Sequence, residues 1–228
     1  MLETLSVRYG SHPDQHVSVH GARGSTRALV VVFHGGFWRS RYAADLMDPL
    51  CRDLAAKGYE AWNVEYRRVG AGGGWPETFD DAAAVVERAD GHEAVVTLGH
   101  SAGGHLAIWS AGRRAALAVA QAGVLDLHEA WRLGLSSHAV GELLGGSPDE
   151  HPDRYADASP AARVPIGVRQ LLVHGRRDDI VPVEMSHTYR ERARTAGDDV
   201  ELVETDEDHF DCLDPASASW QAIVERLP

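Results

Sequence analysis

The sequence predicts an α/β fold with a mostly parallel central sheet flanked by helices and a short lid or insertion around 126–164. Two observations predict it. Short apolar runs alternate with longer amphipathic segments, the pattern that crossover connections leave when helices cover both faces of a sheet. A Gly-x-Ser-x-Gly pentapeptide, Gly99 to Gly103, also stands between one of those runs and an Ala-rich segment. Strands read at 17–20, 29–33, 61–64, 94–98, 119–122, 171–173 and 200–203. Helices read at 43–57, 77–89, 102–112, 184–196 and 216–226. Pro76 ahead of one helix and Gly58 after another follow the start and stop preferences of helices. Segment 126–164 keeps neither period, and its Trp131, Leu133, Leu135, Leu143 and Leu144 read as lid packing rather than substrate contacts. No repeat, low-complexity tract or linker interrupts the chain, so 1–228 reads as a single domain with length enough for a doubly covered sheet.

Gly99-His100-Ser101-Ala102-Gly103 follows the apolar run Ala94 to Leu98. In that setting the pentapeptide is the nucleophile elbow of an α/β-hydrolase fold, a turn too tight for a Cβ at its glycines that lifts the Ser hydroxyl off the sheet. Ser101 is therefore the candidate nucleophile. Candidates for its partners follow in the order acid, then base. Leu171-Leu172-Val173-His174-Gly175 ends a strand-like run, and Asp178-Asp179 follow in a polar turn before Val181-Pro182. An aspartate there can hold a histidine ring in one tautomer; chemistry alone leaves both aspartates open. His209, the last of 13 histidines, follows the last strand-like run and is the candidate base.

His34-Gly35-Gly36-Phe37-Trp38 follows the run Leu29 to Phe33. An HGG-type turn after an early strand presents backbone N–H groups to an oxyanion, and the amide after the nucleophile, that of Ala102, completes the set. Losing one such donor costs about 3–4 kcal/mol of transition-state stabilisation.

These residues resemble the kynurenine formamidases (arylformamidases), whose hallmark HGG-x-W matches His34 to Trp38, and the hormone-sensitive-lipase-like carboxylesterases, whose HGGF form matches His34 to Phe37. Asn63 to Arg67, Gly74-Trp75-Pro76, Asp80-Asp81, Gly99 to Ala107, Leu144 to Pro148, Ala158-Ser159-Pro160 and His174 to Ser186 extend the resemblance over about 25–226. The resemblance implies Asp178, not Asp179, as the acid, with Ser101 as nucleophile, His209 as base, and the Gly36, Phe37 and Ala102 amides as the oxyanion hole. The chain lacks much of the N-terminal cap of the longer lipase-like esterases, and no residue set specific for a kynurenine ring is legible.

Composition excludes other classes. A net charge of -12, from 34 acidic against 22 basic residues, disfavours nucleic acid and anionic membranes as partners. No apolar run of about 18 residues and no signal-peptide pattern is present, so a cytoplasmic location is the expectation. Cys51 and Cys212 form no disulfide framework. Lys57, the only lysine, reads as a helix C-terminal cation rather than a Schiff base. Glu204, Asp206, Glu207, Asp208 and Asp211 surround His209 but lack the paired His or Cys spacing of a zinc site, so neither a metal nor an organic cofactor is expected.

The expected chemistry is acyl transfer to water through an acyl-enzyme. The expected substrate is a small ester or amide. Trp38, Trp75 and Phe210 are candidate substrate contacts for an aromatic group, which favours an N-formylkynurenine-type aryl formamide, with a short-chain carboxylic ester as the alternative. An acyltransferase or thioesterase on the same triad, and a silent binding protein on the same fold, are the remaining alternatives.

Overall fold

The computed structural model describes residues 4–21, 26–112 and 114–228; residues 1–3, 22–25 and 113 of the expected domain lie outside the described residues. The strands are β1 (Thr4–Arg8), β2 (His16–His20), β3 (Leu29–Phe33), β4 (Glu60–Glu65), β5 (Val95–His100), β6 (Leu117–Gln121), β7 (Arg169–Gly175) and β8 (Val200–Thr205). They form one sheet in the order β1-β2-β4-β3-β5-β6-β7-β8. β1 and β2 pair antiparallel, and β2 meets β4 antiparallel; every pairing from β4 to β8 is parallel. This is the α/β-hydrolase arrangement.

The apolar runs of the sequence are continuous rather than alternating because both sheet faces are covered. Leu29, Val31 and Phe33 of β3 enter one core, and Val30 and Val32 enter the other. Against the first face pack α2 (Glu77–Glu87), through Phe79, Ala82 and Val85, and α3 (Ala102–Ser110), through Leu106 and Ala107. Residues 102–108 of α3 are all buried, the mark of a helix enclosed on every side. The opposite face is covered by α1 (Asp48–Ala56), through Leu50, Cys51 and Leu54, and by the C-terminal helix Ala218–Val224, through Trp220 and Ile223.

One strand is added to the expectations, and two expectations are corrected in detail. Strand β1 was not legible, because its apolar residues Leu5 and Val7 stay 63% and 42% exposed and backbone pairing with β2 holds it instead of burial. The helix expected at 43–57 divides into a 3-10 turn, Ala44–Met47, and α1. Pro49 has no N–H to continue the ladder from that turn, so the α-helix starts afresh around it. The lid segment is helical: α4 (Leu127–Arg132), α5 (Leu135–Leu144) and α6 (Pro152–Ala158) occupy it. Asp126 caps α4 by accepting from the His128 and Glu129 amides. Within α5, Ser136, Ser137 and His138 take left-handed φ values of 47°, 58° and 58°, which scrambles any 3.6-residue period. Arg39 clamps that turn, donating to the Ser136 carbonyl at 2.8 Å and Oγ at 2.9 Å while pairing with Glu142 at 2.7 Å.

Candidate active site

The candidate residues gather at the C-terminal ends of parallel strands, where open α/β sheets bind their ligands. The His34–Trp38 turn follows β3, Ser101 follows β5, Asp178 follows β7 and His209 follows β8.

Ser101 sits at φ 57°, a left-handed conformation that its surroundings enforce. Its N–H donates to the Gln121 carbonyl at 2.8 Å, and its own carbonyl accepts from the His105 amide at 3.1 Å. The flanking glycines are required by close backbone approach. A Cβ on Gly99 would overlap the Gly103 carbonyl, and one on Gly103 would overlap the Phe33 carbonyl. Ser101 is 1% exposed, and its Oγ is the only buried hydroxyl without a hydrogen-bond partner among the described residues.

His209, 2% exposed, donates from Nδ1 to Asp178 Oδ2 at 2.7 Å. That bond fixes the ring so that Nε2 is left for the cavity side. Of the two aspartates, Asp178 faces the ring and Asp179 is exposed. Asp178 Oδ1 accepts the Ile180 and Val181 amides at 2.9 and 2.8 Å, and Oδ2 also accepts from His174 Nε2 at 3.1 Å. Burial alone would raise its pKa; the hydrogen bonds from His174 and His209 outweigh it and hold the carboxyl well below the usual carboxylate range. In the sequence His174 carries no signal beyond its place at the end of a strand-like run. In the structure it is pinned by Ser186 Oγ at 2.7 Å and by the Val181 carbonyl at 2.9 Å, and so orients the acid.

The His34–Trp38 turn is packed directly on Ser101. A Cβ on Gly35 would come within 3.2 Å of Ser101 Cβ and 2.8 Å of His100 Nδ1. Gly36, Phe37 and Trp38 run at φ 104°, 50° and 58°, and the Gly36 and Phe37 amides meet no acceptor among the described residues. The Ala102 amide heads α3, where backbone donors have no partner within the helix. Behind the turn, His34 stacks on Tyr66 at 4.4 Å and places Nε2 3.1 Å from Glu65 Oε1. Glu65 also accepts the Ala44 amide at 3.0 Å and pairs with Arg68 at 3.1 Å. Burial opposes its charge, but His34, the Ala44 amide and Arg68 prevail and lower its pKa. Glu65 gives no signal of its own in sequence because its partners lie on other elements.

Gly36, Phe37, His100, Ser101, Ser136 and His209 line one cavity of about 200 Å³, joined by Arg41, Tyr42, Leu46, Ile180, Phe210 and Leu213. Phe210 is 62% exposed at its edge. Trp38 and Trp75 are not brought to it. Trp38 is fully buried and donates from Nε1 to His105 Nδ1 at 3.2 Å, propping the turn from inside the core. Trp75 packs edge-on against Phe79 at 4.8 Å. The acidic residues around His209 serve the backbone: Asp208 accepts the Phe210 and Asp211 amides, and Glu207 those of Ala218 and Ser219. Cys212 and Cys51 are buried, which pushes both thiols up from their ordinary range. No helix among the described residues is long and apolar enough to cross a membrane.

His105 provides a pH-dependent strut. Nε2–H donates to the Ala158 carbonyl at 2.9 Å and Nδ1 accepts from Trp38, so the neutral ring is fully satisfied and a second proton would face the indole N–H. Burial lowers its pKa to about 4. A comparable burial, reinforced by the nearby His209, lowers His100 to about 3. Each ring has an ordinary pKa of about 6.5 when unfolded. The stability that each contributes is therefore complete above about pH 6.5 and lost as pH falls through the folded value. Tm is expected to fall steadily from pH 6.5 to 4.5, and His105→Gln should make that slope shallower, with the buried His100 and His20 supplying the remainder. Equal slopes in both proteins would refute the assignment.

The prolyl oligopeptidase family model matches residues 65–223, a span that takes in Ser101, Asp178 and His209 but not the His34–Trp38 turn. Esterase LipC of Mycobacterium tuberculosis is 28% identical over 221 residues, covering 82% of this chain and 54% of that protein, so the chain spans about half the length of the curated relative that it matches. Among solved structures, a truncated carbohydrate esterase from gut microbiota superposes with a TM-score of 0.79 at 18% identity, covering 98% of this chain and 93% of that one. The thermophilic esterase Est2 of the planctomycete Thermogutta terrifontis superposes with a TM-score of 0.75 at 23% identity, covering 97% and 89%.

Proposed function

The chain belongs to the prolyl oligopeptidase family, and from that footing we propose that it is a serine hydrolase cleaving a carboxylic ester through an acyl-enzyme. One observation carries the reading: Ser101 and an Asp178-bound His209 open onto the same cavity beneath a turn of unpaired amides. Ser101 Oγ attacks the carbonyl carbon while His209 Nε2 takes its proton. Asp178 stabilises the imidazolium without itself taking a proton. The Gly36, Phe37 and Ala102 amides hold the oxyanion as the carbonyl bond becomes single. Collapse expels the leaving group with the proton from His209, and water then repeats the sequence to release the acid. The unpartnered Ser101 hydroxyl gains its contact with His209 when substrate fills the cavity, since catalytic hydrogen bonds commonly tighten on binding. The similarity to a protein named Esterase LipC agrees with this reading.

An aryl formamide of the N-formylkynurenine type is the finer reading, favoured by the faces that Phe37 and Phe210 give to the cavity. Trp38 is no part of that argument, being sealed in the core. Side-by-side kinetics on N-formyl-L-kynurenine and 4-nitrophenyl acetate, with labelling by a fluorophosphonate probe, test both levels. Ser101-dependent labelling is the expected result for the hydrolase. A much larger kcat/KM on the formamide would establish the aryl formamide, and turnover of the acetate alone would remove it. Absence of labelling would remove the hydrolase itself.

A further inference from the structure

We propose that the cavity accepts an ester carrying a free carboxylate, which the Arg41 guanidinium binds; the proposal rests on the serine-hydrolase reading above. Among the described residues, Arg41 is the only lining residue with a permanent charge, in a wall that includes the apolar Phe37, Leu46, Ile180, Phe210 and Leu213. Its position is set by Tyr42. The Tyr42 ring lies on the oxyanion turn so closely that a Cβ on Gly36 would overlap it. Arg68 donates to the Tyr42 carbonyl from below, and the Tyr42 amide donates to the Arg39 carbonyl at 3.2 Å. Over this anchored ring the Arg41 guanidinium sits 4.7 Å from the centroid, and its Nη2 donates to the Tyr42 hydroxyl at 2.7 Å.

The neighbouring arginines are already neutralised: Arg39 pairs with Glu142, and Arg68 with Glu65 and Asp14. Arg41 forms no ion pair among the described residues. A guanidinium carries five donors in a rigid fork, so the tie to Tyr42 leaves edges open for a carboxylate, which it binds in a bidentate manner. The chain as a whole carries a charge of -12 and repels anions. A preference for an anionic ester must therefore arise locally, and Arg41 is the group placed to supply it.

The experiment compares kcat/KM within two matched pairs at low ionic strength. The first is 4-nitrophenyl hydrogen adipate against its methyl ester, with the charge on the acyl side. The second is 4-acetoxybenzoate against its methyl ester, with the charge on the leaving group. In at least one pair the anionic member is expected to be favoured. Arg41→Gln should lower the anionic-to-neutral ratio by about fivefold, the effect of one exposed ion pair, and added salt should lower the wild-type ratio. A ratio unchanged by Arg41→Gln in both pairs overturns the proposal, including when the variant loses activity on every ester equally. Ser101-dependent turnover with an unmoved ratio removes only the Arg41 assignment. No Ser101-dependent turnover of any of the four esters removes the hydrolase reading and this proposal together.

Discussion

Ser101→Ala is expected to lower kcat/KM on a carboxylic ester by about 10⁴- to 10⁶-fold, the range seen when single members of a triad are removed, while leaving Tm unchanged or slightly raised. The loss in rate follows from the role proposed for Oγ, because the oxyanion amides and the cavity alone retain only a small fraction of the acceleration. The absence of a stability cost follows from the geometry. Oγ is buried without a partner, so its removal breaks no hydrogen bond and relieves an unpaired polar group. The Cβ that packs on Gly35 remains, and so does the left-handed φ of 57°, which serine and alanine pay for alike. Steady-state kinetics and a thermal melt on the same preparation decide the matter. Retention of more than about 1% of activity, far above the residue expected without a nucleophile, would show that Ser101 is not the nucleophile.

Gly99→Ala is expected to have the largest effect on stability, about 4 kcal/mol or more. The cause is not conformational, since Gly99 lies in β5 without a positive φ. A methyl group there would overlap the carbonyl carbon and oxygen of Gly103, both backbone atoms with nowhere to go while α3 is packed on all sides. For a chain of this size such a loss lowers Tm by about 10 °C, and much of the chain would be recovered unfolded. Gly21→Ala is the control, because nothing among the described residues lies within 4 Å of the added Cβ; its melt should match wild type within about 0.5 kcal/mol. Similar melts for both substitutions would mean that strand and helix are not in the close contact described.

The strands that pack on both faces were legible because their signal is local. Leu29 to Phe33 is five apolar residues in a row, short and rich in β-branched valine, the pattern of a strand buried on two sides. The candidate site was legible for a related reason. A nucleophile elbow needs glycines at fixed offsets from its serine, and an acid and a base need only follow later strands, so Ser101, the Asp178-Asp179 pair and His209 each carry a mark in the linear chain. Strand β1 was illegible because its side chains bury little, and the helices of 126–164 because a left-handed turn at Ser136–His138 interrupts their period.

What the sequence determined by itself is thus the sheet with its covering helices, and the order of the chemical groups along its strand ends. What the tertiary structure decided is which atoms meet. It turned Asp178 rather than Asp179 towards His209, joined His174 and Ser186 to that acid, and set Glu65 behind the His34 ring. It also withdrew Trp38 into the core and placed Arg41 at the cavity instead. The physical reason is one of range. Periodicity and turn chemistry act over a few neighbouring residues, whereas hydrogen bonds, ring packing and charge pairing join residues as far apart in the chain as Asp178 and His209, whose meeting depends on the whole sheet being assembled.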